Sequence, residues 1–336
     1  MTNTTMIDKC EPKEKSSKAT IGALIGRYGA ILGLLFLVIF LSITSDVFLT
    51  GSNLSNIARQ ATVNAFLAIG LLLAIITAGI DLSVGSTLAL AMCSMAIMAI
   101  KWGVNPYLSM VVCLAIGAFM GWINGILLTK LHLPHPYIAT LGTMYIYRGL
   151  SLVITDASPI SGFDRAGASE ILFLGAGSVG PIPVSFIVVV VVYLIFHVIL
   201  THTSFGRHIY AIGGNVSAAR LSGINVKKIL VIVYTLSGLM AGLAALMLAG
   251  RTNSGFPNAG SGYETDAIAA VIIGGASFSG GSGTIGGTAI GVLLIAVLRN
   301  GLVLLNVPTE WQTVAIGLVI IGAVAVDVLR QRGQSQ

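Results

Sequence analysis

Along most of this chain, polar residues do not interleave with apolar ones at a helical or strand period. The apolar residues run on in blocks. A bilayer core about 30 Å thick is crossed by about 20 apolar residues in a helix. Against that length the sequence predicts spanning helices over 29–45, 63–78, 84–100, 107–129, 136–155, 184–200, 228–250 and 311–328. A further apolar stretch between 265 and 306 is rich in Gly and long enough for two short helices, which brings the total to ten. Two connections are long. One, 156–183, carries Asp156, Asp164 and Glu170, and the other, 201–226, is basic.

Composition changes the picture from apolar segments to a whole membrane protein. Hydrophobic residues make up 55% of the 336 positions and charged residues 9%, against about 25% charged in a soluble domain. A soluble catalytic domain, a disordered regulator and a nucleic-acid binder are excluded together, so the expected fold class is an all-α membrane protein surrounded by lipid. The 41 glycines favour close helix–helix approach. Cys10, Cys93 and Cys113 lack metal-ligand spacing, and the latter two read as small buried hydrophobes.

Charge then sets orientation. Residues 1–28 are polar and basic, lack a cleavage signal, and read as a cytoplasmic tail ahead of a transmembrane domain over 29–328. With that tail inside, ten spans return residues 329–336 to the cytoplasm as a second tail. Twelve cations then fall inside: Lys9, Lys13, Lys15, Lys18, Arg27, Lys130, Arg207, Arg220, Lys227, Lys228, Arg330 and Arg332. Five fall outside, Arg59, Lys101, Arg165, Arg251 and Arg299, with Arg148 in a span. This satisfies the rule that basic loops stay on the cytoplasmic side.

Four features could carry function. In the inner segment 201–227, Asn215 is placed to cap a short helix over 216–222 that ends at Gly223. Arg207 and Arg220 flank it, and it presents the small Ala218 and Ala219. Such a helix suits docking into a groove of a cytoplasmic partner, or the segment is a basic loop held to anionic headgroups. The turn with Asp81, Ser83 and Gly85 interrupts an apolar run. An ionisable residue there is a functional candidate, and Asp81 can equally cap the third span at the membrane face. In the fifth span Tyr137, Thr140, Met144, Tyr147 and Ser151 follow helical spacing, with Arg148 beside Tyr147. That stripe either lines a polar pathway or bonds between helices, with Arg148 as an anchor near the outer face. Glu264 and Asp266 begin the next apolar segment as caps or as contacts for an outside partner. The Gly-rich run 273–288 is no phosphate loop, because no Lys follows it, and it reads as a turn between closely packed helices.

For catalysis and metals the sequence offers no constellation. There is no G-x-S-x-G, no H-E-x-x-H and no paired carboxylates in a span. His132, His135, His197, His202 and His208 form no tetrahedral set. No catalytic residue, metal site or directly bound cofactor is expected.

Four motifs in order resemble the ribose-type sugar permeases of bacterial ATP-binding-cassette (ABC) importers. They are the Thr77-Ala-Gly-Ile-Asp-Leu-Ser-Val-Gly-Ser86 segment, Tyr137-Ile-Ala-Thr-Leu-Gly142 with Arg148-Gly149, the loop from Gly206-Arg207 to Gly223-Ile-Asn-Val226, and Gly262-Tyr-Glu-Thr-Asp-Ala to Gly274-Gly275. The resemblance covers about 30–328. It implies a type II importer-like permease fold and a homodimer of ten-helix subunits in the bacterial inner membrane. It also implies a cytoplasmic ATPase subunit that holds ATP and Mg, and a periplasmic protein that delivers a monosaccharide: ribose, allose, xylose, galactose or a relative. The inner loop matches the coupling element at Ala218, Ala219 and Gly223, with Ser217 where the family pattern has an acidic residue. The pathway is expected between subunits, with the fifth and tenth helices prominent. A stand-alone carrier driven by an ion gradient is the competing reading, and it would need carboxylates in mid-span.

Overall fold

A computed structural model describes residues 17–131 and 136–334. Lys9, Lys13, Lys15, Cys10, His132 and His135 lie outside the described residues. The chain is a multi-pass bundle whose helices are α1 (Ser17–Thr44), α2 (Gly51–Ile76), α3 (Val84–Ala96), α4 (Pro106–Lys130) and α5 (Pro136–Ile154). They continue with α6 (Ser169–Ala176), α7 (Val184–His202), α8 (Ser204–Gly214), α9 (Val216–Leu221) and α10 (Val226–Thr252). The last three are α11 (Tyr263–Ile273), α12 (Ile285–Leu304) and α13 (Thr309–Gln334). Among the described residues six helical segments are long and apolar enough to cross a membrane: α2, α3 with its continuation to Lys101, α4, α7, α10 and α12. Shorter apolar stretches lie in α1 and α13.

Local chemistry explains where the helices stop and start. Thr50 caps α2 by accepting from Asn53 N, and Asn105 caps α4 by accepting from Tyr107 N, with Pro106 in the first turn, where no N–H partner is needed. A single π turn, Ile97–Lys101, ends the third span. α1 begins at Ser17 and α13 runs to Gln334, so helix extends into both of the expected tails.

Two larger differences concern the connections. The apolar stretch 265–306 forms one short helix, the 11-residue α11, and one full one, the 20-residue α12, instead of two short ones. At about 1.5 Å per residue α11 is only about 16 Å long. The turn between them falls in the Gly-rich run, as expected. The segment 201–227 holds two helices where one was read. In α8, Gly206, Ile209 and Ile212 face inward while Arg207, Ala211 and Gly214 are exposed, a narrow apolar stripe that its glycines obscure.

The long connection 156–183 is ordered by α6 and two short antiparallel ladders. β2 (Ser178–Val179) pairs with β3 (Ile182–Pro183). β1 (Ile160–Ser161) pairs with β4 (Ser254–Gly255), which ties this connection to the end of α10. There Asn253, in the left-handed region at φ 52°, donates its amide to Asp164 Oδ1 at 2.8 Å.

The core is centred on α2 and α10. Phe66 to Ile76 of α2 are sealed almost completely from the surface, and α10 packs most extensively against α4. That last contact is made by glycine on both sides. Gly117 and Gly121 of α4 lie against the backbone of Gly238 and Gly242 of α10, so a Cβ at Gly121 would overlap the Tyr234 carbonyl and the Gly238 amide. Without a hydrophobic drive between helices in lipid, such close van der Waals approach is what holds them.

Gly121→Ala is therefore expected to lower stability by about 1–3 kcal/mol, the usual cost of overpacking, read as a lower unfolding temperature in detergent. Gly142→Ala, at a site with open space around it, is the control, and it should be neutral or slightly stabilising because Ala favours helix.

Candidate functional site

The bundle is interrupted at two places, and the interruptions meet. The first is residues 77–83, between α2 and α3. Ala78 takes a left-handed conformation, φ 59°, directly after α2 ends, which turns the chain out of the helix. Asp81 follows, 1% exposed. Its Oδ1 accepts from Ser83 N at 3.1 Å and from Ser83 Oγ at 2.7 Å. Asn124 of α4 donates to the same oxygen at 3.4 Å and to Ser83 Oγ at 2.7 Å. Oδ2 accepts from Ser237 Oγ at 2.9 Å. Ser237 lies near the middle of the 27-residue α10, so this cluster is deep in the bundle. Asp81 thus accepts from Ser83 at the start of α3, as a cap would, and it also joins Asn124 of α4 and Ser237 of α10.

The stripe on α5 closes the same cluster. Thr140 donates to Ile80 O at 3.0 Å, and Tyr147 Oη donates to Met120 O at 3.0 Å and to Asn124 Oδ1 at 3.4 Å. Thr140 and Tyr147 are both buried within the subunit, Met144 is half-buried, and Tyr137 is exposed. The five residues therefore do not share one surface. The inner ones bond between helices, and the outer ones lie on the flank with Leu141 and Tyr145.

The second interruption runs from Asn253 to α11. After pairing with β1, the chain passes inward along α3, with Gly255 against Met92 and Ala96 and Gly260 against Gly85. Gly85 is required here, because a Cβ would fall on the Gly260 carbonyl. Arg148 Nη1 donates to Pro257 O and to Ala259 O, each at 2.7 Å, and Ser151 Oγ donates to Pro257 O at 3.1 Å. Arg148 thus clamps this inward loop to α5. Glu264 accepts from Gly262 N at 3.2 Å through Oε1, while its Oε2 lies against Gly85, at the start of α3, where a helix N-terminus favours negative charge. Asp266, 1% exposed, pairs with Arg299 of α12: Nε to Oδ2 is 2.7 Å and Nη2 to Oδ1 is 2.8 Å. Arg299, counted among the outer-loop cations, is therefore committed to an ion pair between α11 and α12.

The third site is the α8–α9 end. Asn215 Oδ1 accepts from Ala218 N at 2.9 Å, the expected cap. The other end closes as a Schellman motif: Gly223, φ 84°, donates to Arg220 O at 3.1 Å and Ile224 N donates to Ala219 O at 3.1 Å. Ala218, Arg220 and Arg207 are exposed, and Ala219 turns inward. Leu221 is 90% exposed, which the sequence reading passed over. Asn124, Ser237 and Tyr234 were also missed. A lone amide in the apolar 107–129 block was the signal for Asn124, and nothing in the sequence distinguishes Ser237. Among the described residues no group of His, Cys, Asp and Glu is placed to hold a metal ion. Cys93 and Cys113 are buried, as expected.

Asp81→Ala is expected to leave buried donors on Ser83, Asn124 and Ser237 unpaired, at roughly 1–3 kcal/mol each, and so to lower yield and thermal stability sharply. Asp81→Asn keeps one accepting oxygen and should cost much less. Equal losses from the two, measured by unfolding in detergent, would show that the hydrogen bonds are not what Asp81 supplies.

Comparison with known proteins agrees with these motifs. The family model described as branched-chain amino acid transport system / permease component matches residues 53–324. The ribose import permease protein of Bacillus subtilis (strain 168) is 46% identical over 301 residues, covering 90% of this chain and 92% of that protein. The D-allose transport system permease protein of Escherichia coli (strain K12) is 43% identical over 306 residues, covering 90% and 92%. The galactose/methyl galactoside import permease protein of the same strain is 39% identical over 322 residues, covering 91% and 94%. No solved structure matches. The chain belongs to the branched-chain amino acid transport system permease component family, and within it is similar over nine-tenths of its length to permeases of ribose, allose and galactose import.

Proposed function

We propose that this chain is the membrane-spanning subunit of a bacterial ABC importer that carries a monosaccharide across the inner membrane, with ribose or a related pentose or hexose as cargo. Its partners are then a second copy of itself, a cytoplasmic ATPase that holds ATP and Mg, a periplasmic sugar-binding protein, and the surrounding lipid. Ten passes are counted by taking α11 as the eighth, with both termini cytoplasmic.

The observation that carries this reading is α9. A six-residue helix buries too little to hold its own shape by packing, yet it is closed at both ends by its own side chain and backbone and presents Val216 and Leu221 outward. An exposed leucine on a capped helix beside Arg207 and Arg220 has the anatomy of an anchor that fills a pocket on a partner, with a charged rim. ATP binding would close the nucleotide-binding domains and carry α9 with them, swinging α8 and α10. The dimer pathway would then change from outward-facing to inward-facing. High affinity for sugar belongs to the delivery protein, because a tight site at mid-membrane would trap the cargo. Tyr137, Met144 and Arg148 on the flank of α5 are the pathway candidates, and Thr140 and Tyr147 hold that helix from behind.

The test is co-purification of a tagged chain from native membranes in mild detergent. The wild-type chain is expected to bring a cytoplasmic ATPase with it. Gly223→Pro removes the N–H that closes α9 and cannot adopt φ 84°, and Leu221→Asp removes the anchor. Each should reduce ATPase recovery about tenfold or more, as for hot-spot contacts, while the chain still inserts. A chain that purifies alone, with uptake insensitive to ATP depletion and abolished by an uncoupler, would overturn the reading in favour of an ion-driven carrier.

A further inference from the structure

The Gly-rich turn between α11 and α12 has no part in the reading above, and its contacts give it one. α2 ends at Ile76, whose carbonyl has no partner in its own helix because the chain breaks there. Gly281 N supplies one, at 2.8 Å. Gly213 of α8 lies against the same carbonyl and against the Gly281 amide, so closely that any Cβ at 213 would overlap both. Gly280, φ 83°, lies against Ala78, the residue that turns the chain out of α2. At the end of α2, three backbones thus touch with no side chain between them. One hydroxyl fastens the assembly: Tyr210 of α8 donates Oη to Gly283 O at 2.7 Å. The turn is further closed on itself by Ser277 N to Ser282 O at 3.2 Å.

On its other side α8 is coupled to α9. Asn215 is the only residue between them; its N–H donates to Ala211 O at 3.1 Å, and its side chain caps α9. A displacement of α9 must therefore move α8, and backbone contacts without slack pass it to whatever α8 touches, since packed interfaces shift as units and do not deform smoothly. We propose that α8 and the 274–284 turn form the transmission from the docking helix to the break at 77–83, with Tyr210 as the positioning residue that keeps the turn engaged. The route reaches Ala78 and Ile80, and Ile80 O is the acceptor for Thr140 of α5. Movement at the membrane surface thereby arrives at the Asp81 cluster laterally, through a turn 60 residues further along the chain than α9, and not only along α7 and α10. The inference rests on α9 being the ATPase dock.

Tyr210→Phe deletes only the hydroxyl, and it is tested in the intact complex of this chain with its ATPase and binding protein, reconstituted in liposomes. Two quantities are read: molecules imported per ATP hydrolysed, with whichever of ribose, allose and galactose the wild-type complex carries, and hydrogen exchange of 274–284 in the nucleotide-free and vanadate-trapped states. The variant should keep its ATPase and its hydrolysis rate, while import per ATP falls about two- to tenfold, the scale of one hydrogen bond. In the wild type, exchange of 274–284 should change between the two states, and in Tyr210→Phe that change should shrink. An unaltered import ratio, or wild-type exchange indifferent to nucleotide, overturns the proposal, and the second result decides even if the variant fails to fold. A wild-type chain that retains no ATPase overturns the docking reading and this inference with it, and is recognised at the pull-down before any variant is made.

Discussion

Hydrocarbon offers no hydrogen bond, and the fold is organised around that fact. A continuous helix meets the demand within itself, but this chain leaves helical geometry at 77–83 and again at 253–262, deep in the bundle. Irregular backbone at membrane depth persists only where protein satisfies it. Here each break is served by side chains from helices that stay intact: Asn124, Ser237 and Thr140 at the first, Arg148 and Ser151 at the second. Asn124, Ser237, Thr140 and Ser151 are thus buried polar residues that the two breaks require. Placing the breaks against each other at Gly85 and Gly260 brings them into one region that a few helices can serve.

The charges obey the same constraint. Asp81 has hydroxyl, amide and backbone donors around it, whereas Asp266 has a guanidinium held in two-pronged geometry. Asp266 is buried while Arg299 is only half-buried, and removing the cation would leave the buried carboxylate uncompensated. Asp266 and Arg299 therefore fix α11 against α12 chiefly by penalising their separation. A short helix of about 16 Å, with few turns to pack, keeps its place by that bond and by the glycine contacts at Gly274, Gly287 and Gly291.

The sequence was legible where the signal is local. Blocks of apolar residues locate most of the spans because length and hydropathy suffice. Asn215 and Gly223 announce both ends of α9 because each acts on backbone within five residues of itself. Three things were opaque. α8 was lost because two of its inward positions, Gly206 and Gly213, carry no apolar side chain to mark a stripe. The partners of Asp81 were lost because which residue of α4 or α10 faces it is a matter of register between helices. Arg148 was read from its position near a span's end, whereas its acceptors are carbonyls more than a hundred residues away on a loop whose inward course no local pattern records. The stripe on α5 shows the same limit in one helix: spacing put Tyr137 and Tyr147 together, and only packing separates an exposed ring from a buried one.

The caps of α9 have a consequence for association. Because Asn215 and the Gly223–Ile224 turn define its shape without help from a partner, the helix need not be ordered on contact. A segment that folds as it binds spends part of its contact energy on lost conformational freedom, and one already in its bound form keeps that energy as affinity. In the proposed docking to an ATPase, six residues would then suffice for a foothold that a disordered loop would need a far larger surface to match, and the foothold could be released and regained in every cycle without refolding.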